Sequence, residues 1–260
     1  MLDKNSINLS MHSQDLYYSY QLAKKVITKN KNINQCIIGM SYYVLCHDLS
    51  KGDSLYSRNM VENIYYPLLN DKHNSRVKIV PTQKKIIHYQ FDSLVKSIFN
   101  INEVENYFKS KIYMKNTTYY NNINNLNREQ SFKDFDIEYK ENLGMYRADQ
   151  HNKIFKYKET SIEYTEILKE FFDFLDKSFV EPVIIVFPNS NYYLKNIKLE
   201  YIQQFDDLIK RIKEKYSIKV IDLRDSSFEF DDSDFIDADH LNKKGAIKAT
   251  NYLNRFIKGI

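Results

Sequence analysis

Asp237 and His240 are the residues whose types and spacing best suit chemistry. They stand three apart in DADHLNKKGA (237–246), just before the last helical pattern of the chain. From a turn of that kind both side chains can project the same way. A carboxylate that accepts from Nδ1–H fixes the imidazole tautomer. It also stabilises the imidazolium formed when Nε2 takes a proton from a nucleophile. His240 then reads as general base and later general acid, with Asp237 as its orienter. The plainer account is a capped helix start with a surface Asp and a solvated His. Asp239 is the alternative partner, but it is adjacent to His240 and points elsewhere at a helix start. Asn242 is placed to cap the helix, and Gly245 lets that helix pack closely on a neighbour.

An Asp–His pair needs a hydroxyl to act on. Ser41 follows Gly39 at the end of the apolar run QCIIGM (35–40), where a strand would present it at the mouth of a sheet. Ser41 has three readings: nucleophile, contact to an oxyanion or substrate, or structural residue. Lys51-Gly-Asp-Ser54 has no apolar strand before it and reads as a turn. Arg147 and His151, four apart in YRADQHNK (146–153), would share a helix face. They could hold a phosphate or carboxylate, or simply form an exposed polar face. His12, His47, His73 and His88 show no metal-ligand spacing. With only 5 Gly there is no phosphate loop or dinucleotide fingerprint. No metal and no organic cofactor are expected. The tyrosine pairs 17–18, 42–43, 65–66 and 192–193 suit sugar stacking, or plain packing.

The elements that must position these residues can be read from periodicity. INLS (7–10) reads as a short strand, and Ser13 as the cap of a helix that turns Leu16, Tyr17, Tyr20, Ala23, Val26 and Ile27 to one side. QCIIGM reads as a strand buried on both faces. A helical pattern covers about 92–109, and the Asn-rich stretch 116–130 reads as a surface loop. A helix follows from about 159 with Ile162, Ile167, Leu168, Phe171, Phe172 and Leu175 inward. VIIVF (183–187) is the most strand-like segment. A helix through Tyr201, Phe205, Leu208 and Ile212, the strand IKVIDL (218–223) and a final helix burying Ala246, Ala249, Leu253, Phe256 and Ile257 complete the chain. Buried strands alternating with amphipathic helices predict a doubly wound, mostly parallel sheet, with any site beyond the carboxyl ends of the strands.

The bulk composition restricts the function classes. The 260 residues, 43 % hydrophobic, suit one α/β domain, with a helical and loop insertion at about 85–158. The net charge of +4 comes from 38 basic and 34 acidic residues diluted along the chain, which is no nucleic-acid footprint. Cys36 and Cys46 make no disulfide framework. No apolar run approaches a membrane span and no targeting segment is visible, so a cytoplasmic location is expected.

One stretch carries a family resemblance. A strand ending in Asp222, an acidic loop, then Phe-Ile-Asp-x-x-His-Leu-Asn-x-x-Gly-Ala (235–246) and a terminal helix resemble the last block of the SGNH (GDSL-type) hydrolases. The closest branch is the one associated with bacterial cell-surface glycans and teichoic acids. More loosely, INLSMHSQD (7–15), CIIGMSYY (36–43) and PVIIVFPNSNYY (182–193) resemble the second, third and fourth segments of that family. Asn8 and Ser10 then fall in the second block, and Gly39 and Ser41 in the third, where the family binds its oxyanion. No segment of these residues resembles the first block, which carries the nucleophile. In a flavodoxin-like order 2-1-3-4-5 the first strand is interior. Its absence would leave a gap closed by re-pairing, or an exposed edge.

The resemblance implies Ser–His–Asp ester hydrolysis or acyl transfer on an acylated carbohydrate or cell-envelope glycan, with no cofactor. The alternative is a catalytically silent protein that binds a glycan or a partner in envelope polysaccharide synthesis. A third possibility is an assembly factor that pairs through a free sheet edge. The oligomeric state stays open.

Overall fold

The computed structural model describes residues 6–11, 13–76, 131–216 and 218–258. The helical pattern predicted at 92–109, the Asn-rich stretch 116–130, His12 and His88 lie outside them. The core is a parallel sheet of β1 (Gln35–Met40), β2 (Glu181–Val186) and β3 (Lys219–Asp222) in the order β1-β2-β3. Ile38 sits opposite Ile184, and Ile184 opposite Val220.

Strand alternation divides the core into two faces. Ile38, Met40, Ile184 and Val186 point to one side. There they meet α1 (Leu16–Lys29), the long helix Lys158–Lys177 (α5 in chain order) and Leu199–Lys215 (α7). Val183, Ile185 and Ile221 point to the other side and pack on Ala249 and Leu253 of the last helix, Lys243–Lys258 (α8). Helix α1 is buried on a second flank as well. Tyr18, Leu22 and Val26 pack against Met60, Ile64, Tyr65 and Leu68. Those residues belong to a helical stretch made of α2 (Leu55–Met60), a π-helical turn (Val61–Tyr65) and α3 (Tyr66–Leu69). Each large side chain buried this way contributes roughly 1.5–3 kcal/mol.

The expected α/β architecture with a parallel sheet is present, and several local expectations change. Residues 6–11 form no strand. β1 therefore pairs on one side only among the described residues, and Gly39 is exposed rather than buried. Asp15, not Ser13, caps α1: its carboxylate accepts from Tyr18 N–H at 2.9 Å, while Ser13 stands outside at φ 50. Ile162 is 68 % exposed, because the inward stripe of α5 runs through Thr160, Tyr164, Ile167 and Phe171 instead. Ala246 is exposed on α8 and Ala249 is buried. Residues 131–158 are the described part of the expected insertion. They hold α4 (Ile137–Asn152), which packs so closely on the short helix α6 (Asn191–Leu194) that a Cβ on Gly144 would collide with the Tyr192 carbonyl. No helix of the described residues is long and apolar enough to cross a membrane.

Candidate functional site

The loop between β3 and α8 is built to hold Asp237 and His240 in one relation. Phe235 and Leu241 form an isolated antiparallel bridge, and Ile236 N–H donates to the His240 carbonyl at 2.9 Å. This closes residues 236–240 into a tight loop. Asn242 locks its base: its side-chain amide donates to the Ser233 and Phe235 carbonyls at 2.8 and 3.1 Å. Its side-chain oxygen accepts from Gly245 N–H at 3.0 Å, capping α8. A Cβ on Gly245 would collide with the Asp234 carbonyl, so only glycine lets α8 start this close to the loop. Buried Asp234 pairs with Lys244 at 3.3 Å and Lys248 at 3.0 Å, tying the loop to α8. The far side is pinned by Ser190, whose N–H and hydroxyl donate to the Ala238 carbonyl at 3.1 and 2.7 Å.

Within this frame the Asp237 carboxylate meets His240 Nδ1 at 2.9 and 3.0 Å. One of its oxygens also accepts the backbone N–H of Asp239 at 3.0 Å and of His240 at 2.8 Å. The hydrogen bond that His240 Nδ1 donates to Asp237 raises the His240 pKa above its ordinary value. Burial opposes this, and the charges of Asp239 and Asp237 add to the rise. Burial pushes the Asp237 carboxyl up, but the bond and charge of His240 and the two N–H donors outweigh it and hold the carboxyl below the usual range. The imidazole side chain is 60 % exposed, and among the described residues nothing hydrogen-bonds its Nε2.

Asp239 has a separate partner. Arg147 grips it with two parallel bonds, Nε at 2.8 Å and Nη2 at 2.7 Å. This is the fork geometry that suits carboxylates. The anion that Arg147 holds in this structure is therefore a protein carboxylate. His151, one turn further along α4, contacts the Tyr193 hydroxyl at 2.5 Å and lies against Tyr43, ring centres 4.3 Å apart. Burial pulls its pKa down to about 4, so the ring is neutral near pH 7 and does not attract an anion. Arg147 and His151 do share a face of α4, and through it they hold Asp239 and Tyr193, both in the cavity wall.

His240 and Ser41 line one cavity of about 670 Å³ at the carboxyl ends of the strands. Asn8, Gly39, Tyr42, Tyr43, Asn189, Tyr193 and Asp239 are also in its walls. Ser10 is not among the cavity's lining residues; its N–H donates to the Asn8 side-chain oxygen at 2.9 Å. Burial pushes the Tyr43 hydroxyl pKa up and the neighbouring Ser41 opposes the rise; among the described residues no hydrogen bond joins Ser41 to His240. Ser54, the serine of the Gly-Asp-Ser triplet, caps α2 and takes no part.

A second polar cluster had no signal in local spacing. Asp48, His73 and Glu163 bring one donor atom each within 4.8 Å of one another, a grouping compatible with a metal ion. Asn74 bonds both carboxylates, at 3.0 Å to Asp48 and 2.9 Å to Glu163, and Lys51 pairs with both at 3.5 and 3.2 Å. These contacts already satisfy the carboxylates. Tyr17 stacks on His73 at 3.6 Å. Buried Asp15 anchors the neighbourhood by accepting from Tyr18 N–H, Leu49 N–H and the Tyr164 hydroxyl. The four acidic and imidazole positions, 15, 48, 73 and 163, are too far apart in the chain for spacing to reveal them.

The chain matches no family model, no curated protein and no solved structure. Function must be argued from the site.

Proposed function

We propose that this protein is an SGNH-like ester hydrolase or O-acyltransferase that acts on an acylated carbohydrate or cell-envelope glycan. The observation that carries the reading is the Asp237 carboxylate on His240 Nδ1 at 2.9 Å, with no hydrogen bond to Nε2 among the described residues and His240 in the cavity wall beside Ser41. In this reading the Ser41 hydroxyl oxygen attacks the ester carbonyl as His240 Nε2 takes its proton. His240 returns that proton to the departing alcohol, leaving an acyl-serine. Water or a sugar hydroxyl then attacks the acyl-serine, with His240 again as base. Asp237 keeps the ring oriented throughout. Asn8 and Gly39 line the same cavity as Ser41, where the oxyanion would form.

Hydrolysis of p-nitrophenyl acetate by the wild type, Ser41→Ala and His240→Ala tests the proposal. Turnover by the wild type and its loss in both variants is the expected result. No turnover above background in the wild type sinks it. That no hydrogen bond joins Ser41 to His240 among the described residues favours a second reading: a catalytically silent SGNH-like protein that binds a glycan or a partner. Retained glycan binding with no turnover separates it from the first.

A further inference from the structure

Two carboxylates stand within reach of His240 Nδ1. Asp237 bonds it at 2.9 Å, and Oδ1 of Asp239 lies 3.6 Å away. At that range Asp239 makes no hydrogen bond to the ring, but its charge still acts on it. The backbone of Asp239 is fixed beside the imidazole: its N–H donates to Asp237 at 3.0 Å, and Ser190 holds the preceding carbonyl at 2.7 Å. What keeps the second carboxylate from the ring is therefore its side-chain partner. Arg147 Nε binds Oδ1, the oxygen nearest the imidazole, and Nη2 binds Oδ2. The Asp239 side chain is only 6 % exposed, so without Arg147 it has little water to turn to. The Nδ1–H of His240 is then the donor a small side-chain rotation would reach.

We propose that Arg147 is a positioning residue, whose two-bond grip on Asp239 keeps that carboxylate off His240 and leaves the ring to Asp237. A ring drawn to Asp239 would turn its Nε2 away from the direction that Asp237 sets. A free second carboxylate would also make the imidazolium harder to deprotonate. Held by Arg147, Asp239 is half of a neutral pair. The two charges act on the ring in opposite senses, Asp239 raising its pKa and Arg147 lowering it. The other polar groups around the pair are already placed. His151 on α4 bonds Tyr193 of α6 and lies on Tyr43, with His47 beyond that ring. Arg224, after β3, is spent on Asp206 and Asp222. Because Arg147 belongs to α4, the docking of that helix completes the arrangement of a loop about ninety residues away in the chain. The assignment rests on the proposed ester chemistry for what His240 does with its proton, but not for how Arg147 controls Asp239.

Proton NMR titration of the histidine rings tests it on the wild type, Arg147→Met, Asp239→Asn and the double variant, each shown folded by circular dichroism. His240→Gln identifies the His240 resonance by its loss. Arg147→Met is expected to raise the His240 midpoint by about one pH unit, and Asp239→Asn to lower it. The double variant, which removes both charges, is expected to bring the midpoint back toward the wild-type value. A midpoint that Arg147→Met leaves unmoved overturns the proposal. So does a double variant shifted as far upward as Arg147→Met, since Arg147 would then act without Asp239. Should Arg147→Met fail to fold, Asp239→Asn carries the test, and a midpoint that does not fall overturns the proposal. These shifts in a protein without p-nitrophenyl acetate turnover support the role of Arg147 and overturn the ester reading. Turnover whose acid limb, like the His240 midpoint, neither single variant moves overturns the role of Arg147 and leaves the ester reading.

Discussion

His240 holds its proton more tightly than a free imidazole because it is hydrogen-bonded to Asp237, and the base role proposed for it needs that proton gone. The acid limb of kcat/KM against pH is therefore expected above 6.5, the ordinary value, with activity rising through it. Asp237→Asn removes the charge and favours the wrong tautomer. It is expected to move the limb downward and to cost about 10³–10⁴ in kcat, by analogy with serine-protease triads. A pH–rate profile of both proteins checks this. Stability runs the other way. A group whose pKa is raised on folding stabilises fully below its unfolded value and loses that contribution as pH rises through the folded one. The conditions that free the base thus weaken the Asp237–His240 bond. This pair was legible in the sequence because both members sit in one turn. The grip of Arg147 on Asp239 was not, since it joins residues 147 and 239 through the docking of α4 on α6.

At the scale of elements, two glycines allow the close packing that builds the site. Gly245→Ala forces a Cβ into the Asp234 carbonyl, and Gly144→Ala forces one into the Tyr192 carbonyl. Overpacking of this kind costs about 1–3 kcal/mol. Each variant is expected to melt lower, with ester turnover falling more than stability alone explains, because the loop and α4 carry the site. Thermal melts beside activity assays check this. The Asp48–His73–Glu163 cluster gives a pH-dependent clasp between the loop after α3 and the start of α5. Burial disfavours charged His73, but the bond and charge of Asp48 and the charges of Asp15 and Glu163 outweigh it and raise its pKa. Burial also pushes Asp48 up, yet the bonds from His73, Ser50 and Asn74 hold it well below the usual carboxylate range. The His73 contribution is whole below 6.5 and fades as pH rises through its raised folded pKa. The Asp48 contribution is whole above 3.8 and fades as pH falls through its lowered one. Both are whole between these values, where His73→Ala is expected to cost roughly 1–3 kcal/mol. Melting temperatures of the two proteins should converge as the pH rises well above neutral. A constant difference would contradict the clasp.

Across the whole molecule, the β2 segment was legible because four or more consecutive apolar residues buried on two faces leave little choice. VIIV divides its side chains between both layers of the core. INLS misled because a short apolar piece has no intrinsic preference without a partner strand, and here it borders the cavity as irregular chain. β1 read as doubly buried because its composition matches an interior strand, while Gly39 is exposed. The sheet, the loop and α8 converge on one claim: His240, oriented by Asp237, activates the hydroxyl of Ser41. Labelling with a fluorophosphonate, with the modified residue located by peptide mass spectrometry, tests that claim most directly. One adduct on Ser41 in the wild type, and none in His240→Ala, is the predicted result. No adduct in the wild type, an adduct on a different residue, or equal labelling without His240 would contradict it.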